Sequence, residues 1–250
     1  MDESEFLQAY DPTAFERPAL TVDLVLISLL EGRPAVLLLK RTEHPHVGRR
    51  ALPGSFVRSN EPLDAAAARV LRDKAGFTAA AAERTRLEQL YTFGAVDRDP
   101  RMRIVTVAYL ALLPEAVFAQ VAETSATLSA VCIAVPWAGE AGGPVAAYAA
   151  RDREADPPLR LAFDHADILA LAVLRLRGKL DYSDVGFALL PETFTLRQLQ
   201  NVHEAILGAS LNKPAFRRRM LDRGWLAPTG EREAGTSFRP AELYRFRKPL

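Results

Sequence analysis

Several features that would mark particular classes of protein are missing from these 250 residues. The only cysteine, Cys132, excludes a disulfide framework within one chain, and its apolar neighbours predict a buried thiol. No apolar stretch approaches the roughly 18 residues that a membrane-spanning helix needs. The acidic start, Met1-Asp-Glu-Ser-Glu5, is unlike a signal peptide. We therefore expect a cytoplasmic protein without a membrane partner.

Net charge is almost absent as well, at +1, but the charge is unevenly distributed. Residues 192–250 contain 11 Lys and Arg against 6 Asp and Glu, a net +5. Residues 1–191 contain the remaining 21 against 25, a net −4. A basic C-terminal region on an acidic body favours contact of that region with a polyanion.

The first half of the chain alternates apolar runs with turn residues, a pattern that predicts a sheet. Val22–Leu30 and Ala35–Lys40 indicate two strands joined by a tight loop that contains Gly and Pro. A helix is predicted at Asp64–Ala75, where Leu63, Ala67, Val70 and Leu71 have helical spacing, and Gly76 ends it. Further strands are expected at Leu52–Val57, Arg103–Leu113 and Ser129–Val135.

The second half is mainly helical. Helices are predicted at Phe163–Lys179, at Thr195–Leu207 with Thr195 as its N-cap, and at about 213–223 with Pro214 in the first turn. Two short strands are expected to flank the polar, Gly-containing segment that follows. Helix, turn, helix and a two-stranded wing resemble a winged helix-turn-helix domain.

A strand, loop and helix in the body carry a motif. Gly54, Glu61, Arg69 and Gly76-Phe77 resemble the Nudix box, G-x5-E-x7-R-E-U-x-E-E-x-G-U, where U is a bulky aliphatic residue. The first interval has six residues rather than five, unless Asn60 is taken in place of Glu61. The gap of seven residues from Glu61 to Arg69 is the usual one.

The box lacks most of its acidic residues. Where Nudix hydrolases present three glutamates to divalent cations, this chain has Val70, Asp73 and Lys74. Val cannot ligate a cation, and an ammonium about 4 Å from one adds roughly 4 kcal/mol of repulsion at an effective dielectric near 20. We expect no catalytic residues, no metal site and a lost or vestigial hydrolase activity.

The resemblance extends over nearly the whole chain to the Nudix-related transcriptional regulators of NAD metabolism. It is carried by five further segments: Gln89–Gly94, Arg98–Arg101, Arg103–Tyr109, Leu161–His165 and Phe194–Gln200. The family implies an α/β (α+β) fold class, with a Nudix-like α/β/α sandwich followed by a winged helix-turn-helix domain. It also implies a homodimeric repressor of NAD synthesis or salvage genes, released from double-stranded operator DNA by ADP-ribose or a related nucleotide sugar. No cofactor beyond this effector is expected.

The corresponding domains are predicted at 1–160 for the ligand-sensing body, 161–191 for the connector and 192–250 for the DNA-binding domain. A retained nucleotide-sugar pocket needs guanidinium groups for a diphosphate and an aromatic ring for adenine. The candidate ligand-binding residues are Arg41, Gly54, Phe56, Arg58, Phe93, Arg98, Arg101 and Arg103.

For DNA, helical periodicity distinguishes the basic residues of the second helix of the motif. Phe216, Met220 and Leu221 are expected to be buried, with Arg217 at the core edge and Arg218 and Arg219 facing outward. The candidate DNA-binding residues are Lys213, Arg217, Arg218, Arg219 and, in the wing, Arg239.

Other interpretations remain open. The protein could be an active Nudix hydrolase with an accessory basic domain, or a repressor that senses a sugar metabolite. The basic domain could serve only in dimerisation or in packing on the body. His44 and His46 favour a polar loop over a metal pair, and Asp164-His165 favours helix capping over a catalytic dyad.

Overall fold

The computed structural model describes residues 2–149, 157–234 and 240–247. In these residues the helices are α1 (Glu3–Ala9), α2 (Leu63–Asp73), α3 (Ala79–Arg84), α4 (Glu115–Thr124), α5 (His165–Lys179), α6 (Leu196–Leu207) and α7 (Lys213–Asp222). The strands are β1 (Ala19–Leu30), β2 (Arg33–Lys40), β3 (Arg50–Ala51), β4 (Gly54–Phe56), β5 (Glu88–Phe93), β6 (Ile104–Leu112), β7 (Leu128–Ala134), β8 (Ala146–Ala149), β9 (Leu226–Arg232) and β10 (Glu242–Phe246). A 3-10 helix covers Val185–Leu189.

One mixed sheet organises the body. Its strands follow the order β5-β6-β1-β2-β7-β8, with β3 paired to β2 and β4 paired to β1. The long central pair β1 and β6 is parallel, whereas β1 and β2 form an antiparallel hairpin. Glu31 and Gly32 both have positive φ, 51° and 76°, as the tight turns that suit hairpin twist require.

The two faces of the sheet are buried under different helices. Alternate residues of β1, such as Leu24 and Leu26, pack against α2 and α4 on one face. Their neighbours, such as Val25 and Ile27, pack against α5 on the other face. This alternation follows from the two-residue period of a strand and makes the body a three-layer sandwich.

The C-terminal residues form a helix-turn-helix with a two-stranded wing. Thr195 caps α6 in a capping box with Gln198, and Gly208 ends α6 in the left-handed conformation at φ 67°. The turn before α7 is held because Glu204 accepts from the Leu211 backbone N–H at 2.7 Å. The wing strands β9 and β10 pair antiparallel, and Phe194 joins them through a bridge to Tyr244.

The connector helix α5 joins the two parts through a shared core. Ile168 and Leu176 of α5 belong to the same buried cluster as Leu199 of α6 and Phe216 of α7. The Arg177 guanidinium, 4% exposed, donates to the backbone carbonyl of Ile206 at 2.8 Å and to those of Trp137 and Gly139 at 2.7 and 3.1 Å. Burial lowers the pKa of this guanidinium.

The predicted fold class agrees with this architecture, and Cys132 is buried as predicted. Elements without a strong periodic signal were not predicted: α1, α3, α4, β3, β5, β8 and the 3-10 helix Val185–Leu189. The expected capping by Asp164 is wrong, because its carboxylate makes no bond to the first turn of α5 and pairs with Arg98 instead. None of the helices in the described residues is long and apolar enough to cross a membrane.

Candidate functional site

A cavity of about 450 Å³ lies between β1, β2, β4 and the N-terminal end of α5. Its walls carry both charged and aromatic side chains. The cationic ones are Lys40, Arg41, Lys74, Arg98 and Arg101, the acidic ones are Asp23, Glu43 and Asp99, and the aromatic ones are Phe56, Phe163 and His165.

Arg98 is the most buried cation of this cavity, with 3% of its side chain exposed. Its Nε and one Nη donate to the two carboxylate oxygens of Asp164 at 2.8 and 2.7 Å. The same Nη lies 3.7 Å from Asp23 Oδ2. The bidentate geometry joins the body loop that carries Arg98 to the start of α5.

Arg41 and Arg101 lie near the ring of Phe163, at 4.9 and 5.8 Å from its centroid. Arg41 donates to the backbone carbonyls of Pro45 and Glu43, and Arg101 pairs bidentately with Asp99. Burial, and to a lesser degree Arg101, lowers the pKa of Arg41. Phe163 has a φ of 51°, which is unusual for a residue other than glycine.

Asp23 and His165 form the floor of the cavity. The Thr106 hydroxyl donates to Asp23 Oδ2 at 2.7 Å, and the Leu52 backbone N–H donates to His165 Nδ1 at 2.8 Å. Burial lowers the pKa of His165. Gly54 is required here, since a Cβ at this position would lie 2.1 Å from Asp23 Oδ1.

A second surface lies on the winged helix-turn-helix part. A groove of about 840 Å³ runs between the N-terminal ends of α6 and α7 and the wing. We call it the basic groove; it is lined by Arg197, Lys213, Arg217 and Arg232, together with Glu233 and Glu242. The side chains of Lys213 and Arg217 are exposed and have no hydrogen bond or ion pair with any residue that the structure describes.

The three consecutive arginines of α7 point in different directions. Phe216 and Met220 are buried, which places Arg218 about 180° from the buried side of the helix. Arg219 Nη1 donates to Asp181 Oδ1, just beyond α5, at 3.1 Å. The prediction that Leu221 is buried is wrong, because it is 47% exposed, and the buried side is therefore rotated away from Arg217 and towards Phe216.

Comparison with known proteins matches both parts of the chain. Residues 18–138 match the NUDIX domain, and residues 186–246 match the NrtR DNA-binding winged helix domain. The ADPR responsive transcriptional repressor NtrR of Acinetobacter baylyi is 35% identical over 246 residues, 98% of this chain and 88% of that protein. The chain belongs to the NrtR family.

Solved structures agree with this assignment. Shewanella oneidensis NrtR, crystallised with a 27mer DNA, matches with a TM-score of 0.69 and 34% identity over 91% of this chain and 93% of that chain. A MutT/nudix family protein from Enterococcus faecalis matches with a TM-score of 0.75 and 24% identity over 99% of this chain and 94% of that chain. The latter likeness shows a shared fold.

Within this NrtR-family chain, the Nudix box keeps its structural ion pair. Glu61 Oε2 accepts from Arg69 Nε at 2.9 Å, and Arg69 also donates to the backbone carbonyl of Phe56 at 3.0 Å. The hydrogen bonds from Arg69, then that from the Arg58 backbone N–H, lower the pKa of Glu61 to about 2. The pairing favours Glu61 over Asn60 as the box glutamate.

The positions of the other box acids do not fit a divalent cation. Val70 is fully buried between α2 and the sheet, Asp73 is exposed, and Lys74 lines the cavity. Among the described ranges of the chain, no group of three or more His, Cys, Asp or Glu side chains is arranged to hold a metal ion. His44 and His46 belong to a loop in which His46 contacts the Phe163 ring edge-on.

The structure brings five of the eight candidate ligand residues to the cavity: Arg41, Gly54, Phe56, Arg98 and Arg101. Arg58 is exposed outside it, Arg103 is held by the Ala95 carbonyl, and Phe93 packs against Tyr91 on β5. Among the DNA candidates, Lys213 and Arg217 line the basic groove, Arg218 lies outermost and Arg219 is paired. The wing residue Arg239 lies outside the described residues.

Sequence reasoning missed several residues at or beside the cavity, among them Phe163, Asp164 and Lys74. Phe163 and Asp164 lie within the family segment Leu161–His165, but nothing local indicated that they would meet Arg41 and Arg98. Lys74 was noted only as a lost glutamate. Since the box helix directs that position towards the cavity, the signal for a cationic wall was present in the motif itself.

Proposed function

We propose that this protein is a transcriptional repressor whose Nudix body binds ADP-ribose without cleaving it and thereby releases operator DNA from the winged helices. The observation that carries the proposal is the coexistence, in one NrtR-family chain, of a guanidinium-rich cavity and a free basic groove. The relative from Acinetobacter baylyi is named as an ADPR responsive repressor. We also propose that the target genes are those of NAD synthesis or salvage and that the protein acts in the cytoplasm.

For the effector, the cavity offers cations that can bind a diphosphate and rings that can stack. Arg41, Lys74 and Arg101 surround the space, and charge-assisted bonds to phosphate are among the strongest in proteins. Phe56 is 44% exposed with the Arg101 guanidinium 5.7 Å from its ring centroid, and its ring is accessible to a base or ribose. Arg58, Phe93 and Arg103 are not included in this proposed set.

Loss of hydrolysis follows from the positions of two residues. Lys74 places an ammonium where a hydrolase holds a cation, and Val70 supplies only methyl groups to the core. A metal-activated water therefore lacks its ligands. This reasoning disfavours the alternative of an active hydrolase.

For DNA, we assign Lys213, Arg217 and Arg218 to the contact surface, with Arg197 and Arg232 as additional phosphate ligands from α6 and the wing. Recognition helices place such residues in the major groove. One small winged helix gives little specificity, so a homodimer on a palindromic operator is proposed. The boundaries 1–160, 161–191 and 192–250 are kept as the proposed domain organisation.

Calorimetry with ADP-ribose and Mg²⁺, followed by product analysis of the same sample, tests the effector half of this proposal. We expect saturable binding and unchanged ligand. Turnover of around 1 s⁻¹ or faster would establish an ordinary hydrolase instead. Ribose 5-phosphate and AMP serve as comparison ligands, and tighter binding of either would replace ADP-ribose as the effector.

A further inference from the structure

Arg98 lines the proposed effector cavity, and its guanidinium is held from behind that wall by a buried ion pair with Asp164. Both side chains are largely shielded from solvent, with 3% and 15% exposed. Asp164 occupies the N-cap position of α5 but gives its helix no side-chain bond. Its carboxylate is thus used entirely to hold Arg98 rather than to stabilise the helix that it precedes.

A guanidinium binds a carboxylate or a phosphate through one planar edge with two parallel bonds. In Arg98 the edge formed by Nε and one Nη is taken by Asp164. The same Nη is already close to Asp23. A diphosphate that takes this edge must displace the Asp164 carboxylate, which it also repels because both are anions.

Asp164 is joined to the DNA-binding part by a single helix. The 15 residues of α5 span about 22 Å. At the far end, Arg177 bonds the Ile206 carbonyl at the end of α6, and Asp181 bonds Arg219 of α7. Movement of the first turn of α5 is therefore transmitted to a segment, α5 and the residues just after it, that is hydrogen-bonded to both helices of the DNA-binding motif.

We propose that Asp164 is an internal competitor for the anionic effector at Arg98, and that its displacement is the event that shifts α5 and releases DNA. This inference rests on the proposed function and adds to it a residue that sets effector affinity and response together. Effector binding and DNA binding are coupled, so each weakens the other. A mutation that opens the Arg98–Asp164 pair should therefore act as the effector does. The variant should bind the effector more tightly and DNA more weakly.

The test compares Asp164→Asn with Asp167→Asn. Asp167 is exposed in the same first turn of α5, and its carboxylate makes no hydrogen bond or ion pair with the described part of the chain, so its variant removes the same charge without touching Arg98. In Asp164→Asn we expect the ADP-ribose Kd to fall about tenfold. Without ADP-ribose, we expect its DNA Kd to rise several-fold. Asp167→Asn should match the wild type in both measurements, and Asp164→Glu should restore wild-type behaviour.

A second test uses the wild-type protein, so its outcome does not depend on whether a variant folds. Amide hydrogen exchange at residues 163–168 should become faster when ADP-ribose saturates the body. Unchanged or slower exchange there would overturn the inference, as would equal affinities for Asp164→Asn and Asp167→Asn. If the wild type binds ADP-ribose and releases DNA but the expected changes in exchange and affinity are not observed, only the proposed role of Asp164 is rejected. If the wild type does not bind ADP-ribose at all, the proposed function falls with it.

Discussion

The cationic side chains of the body and those of the DNA-binding part differ in whether they are paired with carboxylates. In the body, Arg69, Arg98 and Arg101 are each held bidentately by a carboxylate. On α7, Lys213, Arg217 and Arg218 have no such partner within the described residues. These three body guanidiniums are occupied by carboxylates, whereas Lys213, Arg217 and Arg218 of α7 are exposed and available for a polyanion.

Two residues depart from this contrast and define how the parts are joined. Arg177 is buried like a body residue, but its hydrogen bonds to the described residues go to backbone carbonyls, among them one of α6. Arg219 belongs to α7 but is paired with Asp181 near the end of the connector. Mutations at these positions and at their counterparts test the contrast.

The largest effect is expected from Arg177→Met. It removes one buried and two partly buried hydrogen bonds to backbone carbonyls, which should lower the free energy of unfolding by about 3 kcal/mol. Urea denaturation measures this difference. Arg175→Met is the matched control on the same helix, because within the described ranges Arg175 makes a single long bond, 3.3 Å to the Leu90 carbonyl. An equal loss in the two variants would mean that Arg177 does not tie the parts together.

Replacing Arg217 and Arg218 together by Ala should weaken DNA binding about 100-fold, at roughly 1.4 kcal/mol for each lost charge-assisted contact. If both contact phosphates, the slope of log affinity against log salt should fall by about 0.9 for each. Fluorescence anisotropy over a salt series measures both quantities. An unchanged slope and affinity would remove α7 from the DNA interface.

The Glu61–Arg69 pair predicts a pH-dependent contribution to stability. Because the folded-state pKa of Glu61 is lowered from 4.5 to about 2, the stabilisation is complete above the unfolded value and is lost as pH falls towards about 2. Glu61→Gln should therefore be less stable than the wild type at pH 7, and the two should converge near pH 2. Asp73→Asn, an exposed change on the same helix, should show no such convergence. A gap between Glu61→Gln and the wild type that does not change with pH would contradict the ionic account.

The smallest effect is expected from Arg219→Ala. Its ion pair with Asp181 is exposed on both sides, and such pairs contribute about 1 kcal/mol or less. DNA affinity should stay within about threefold of the wild type. A loss as large as that of Arg218→Ala would show that Arg219 leaves Asp181 to contact DNA.

The sequence was most informative where a local signal was strong. The hairpin of β1 and β2, the helix of the box and the capped helix α6 each have turn, cap or period signals, and the structure has them at nearly the predicted bounds. The short elements β5 and β8 depend on pairing with distant strands, so neither period nor composition marked them.

The candidate site was predictable only in part, for the same reason. The Nudix-like motif locates Gly54 and Lys74. Arg41, Arg98 and Arg101 are suggested as ligand residues because a diphosphate requires guanidinium groups. Which arginines meet which carboxylates depends on contacts across long stretches of chain, such as the separation of 66 positions from Arg98 to Asp164. The error at Leu221 was of another kind: a period of 3.6 fits several rotations of a short helix, and tertiary packing of Phe216 and Met220 selected one.

The central claim is that ADP-ribose in the body weakens DNA binding by the winged helices. It is tested most directly by anisotropy with a labelled duplex taken from the DNA upstream of this gene's neighbours, with and without saturating ADP-ribose. We expect the DNA Kd to rise about tenfold or more when the ligand is present. An unchanged DNA Kd, in protein that calorimetry shows to be saturated with ADP-ribose, would contradict the claim.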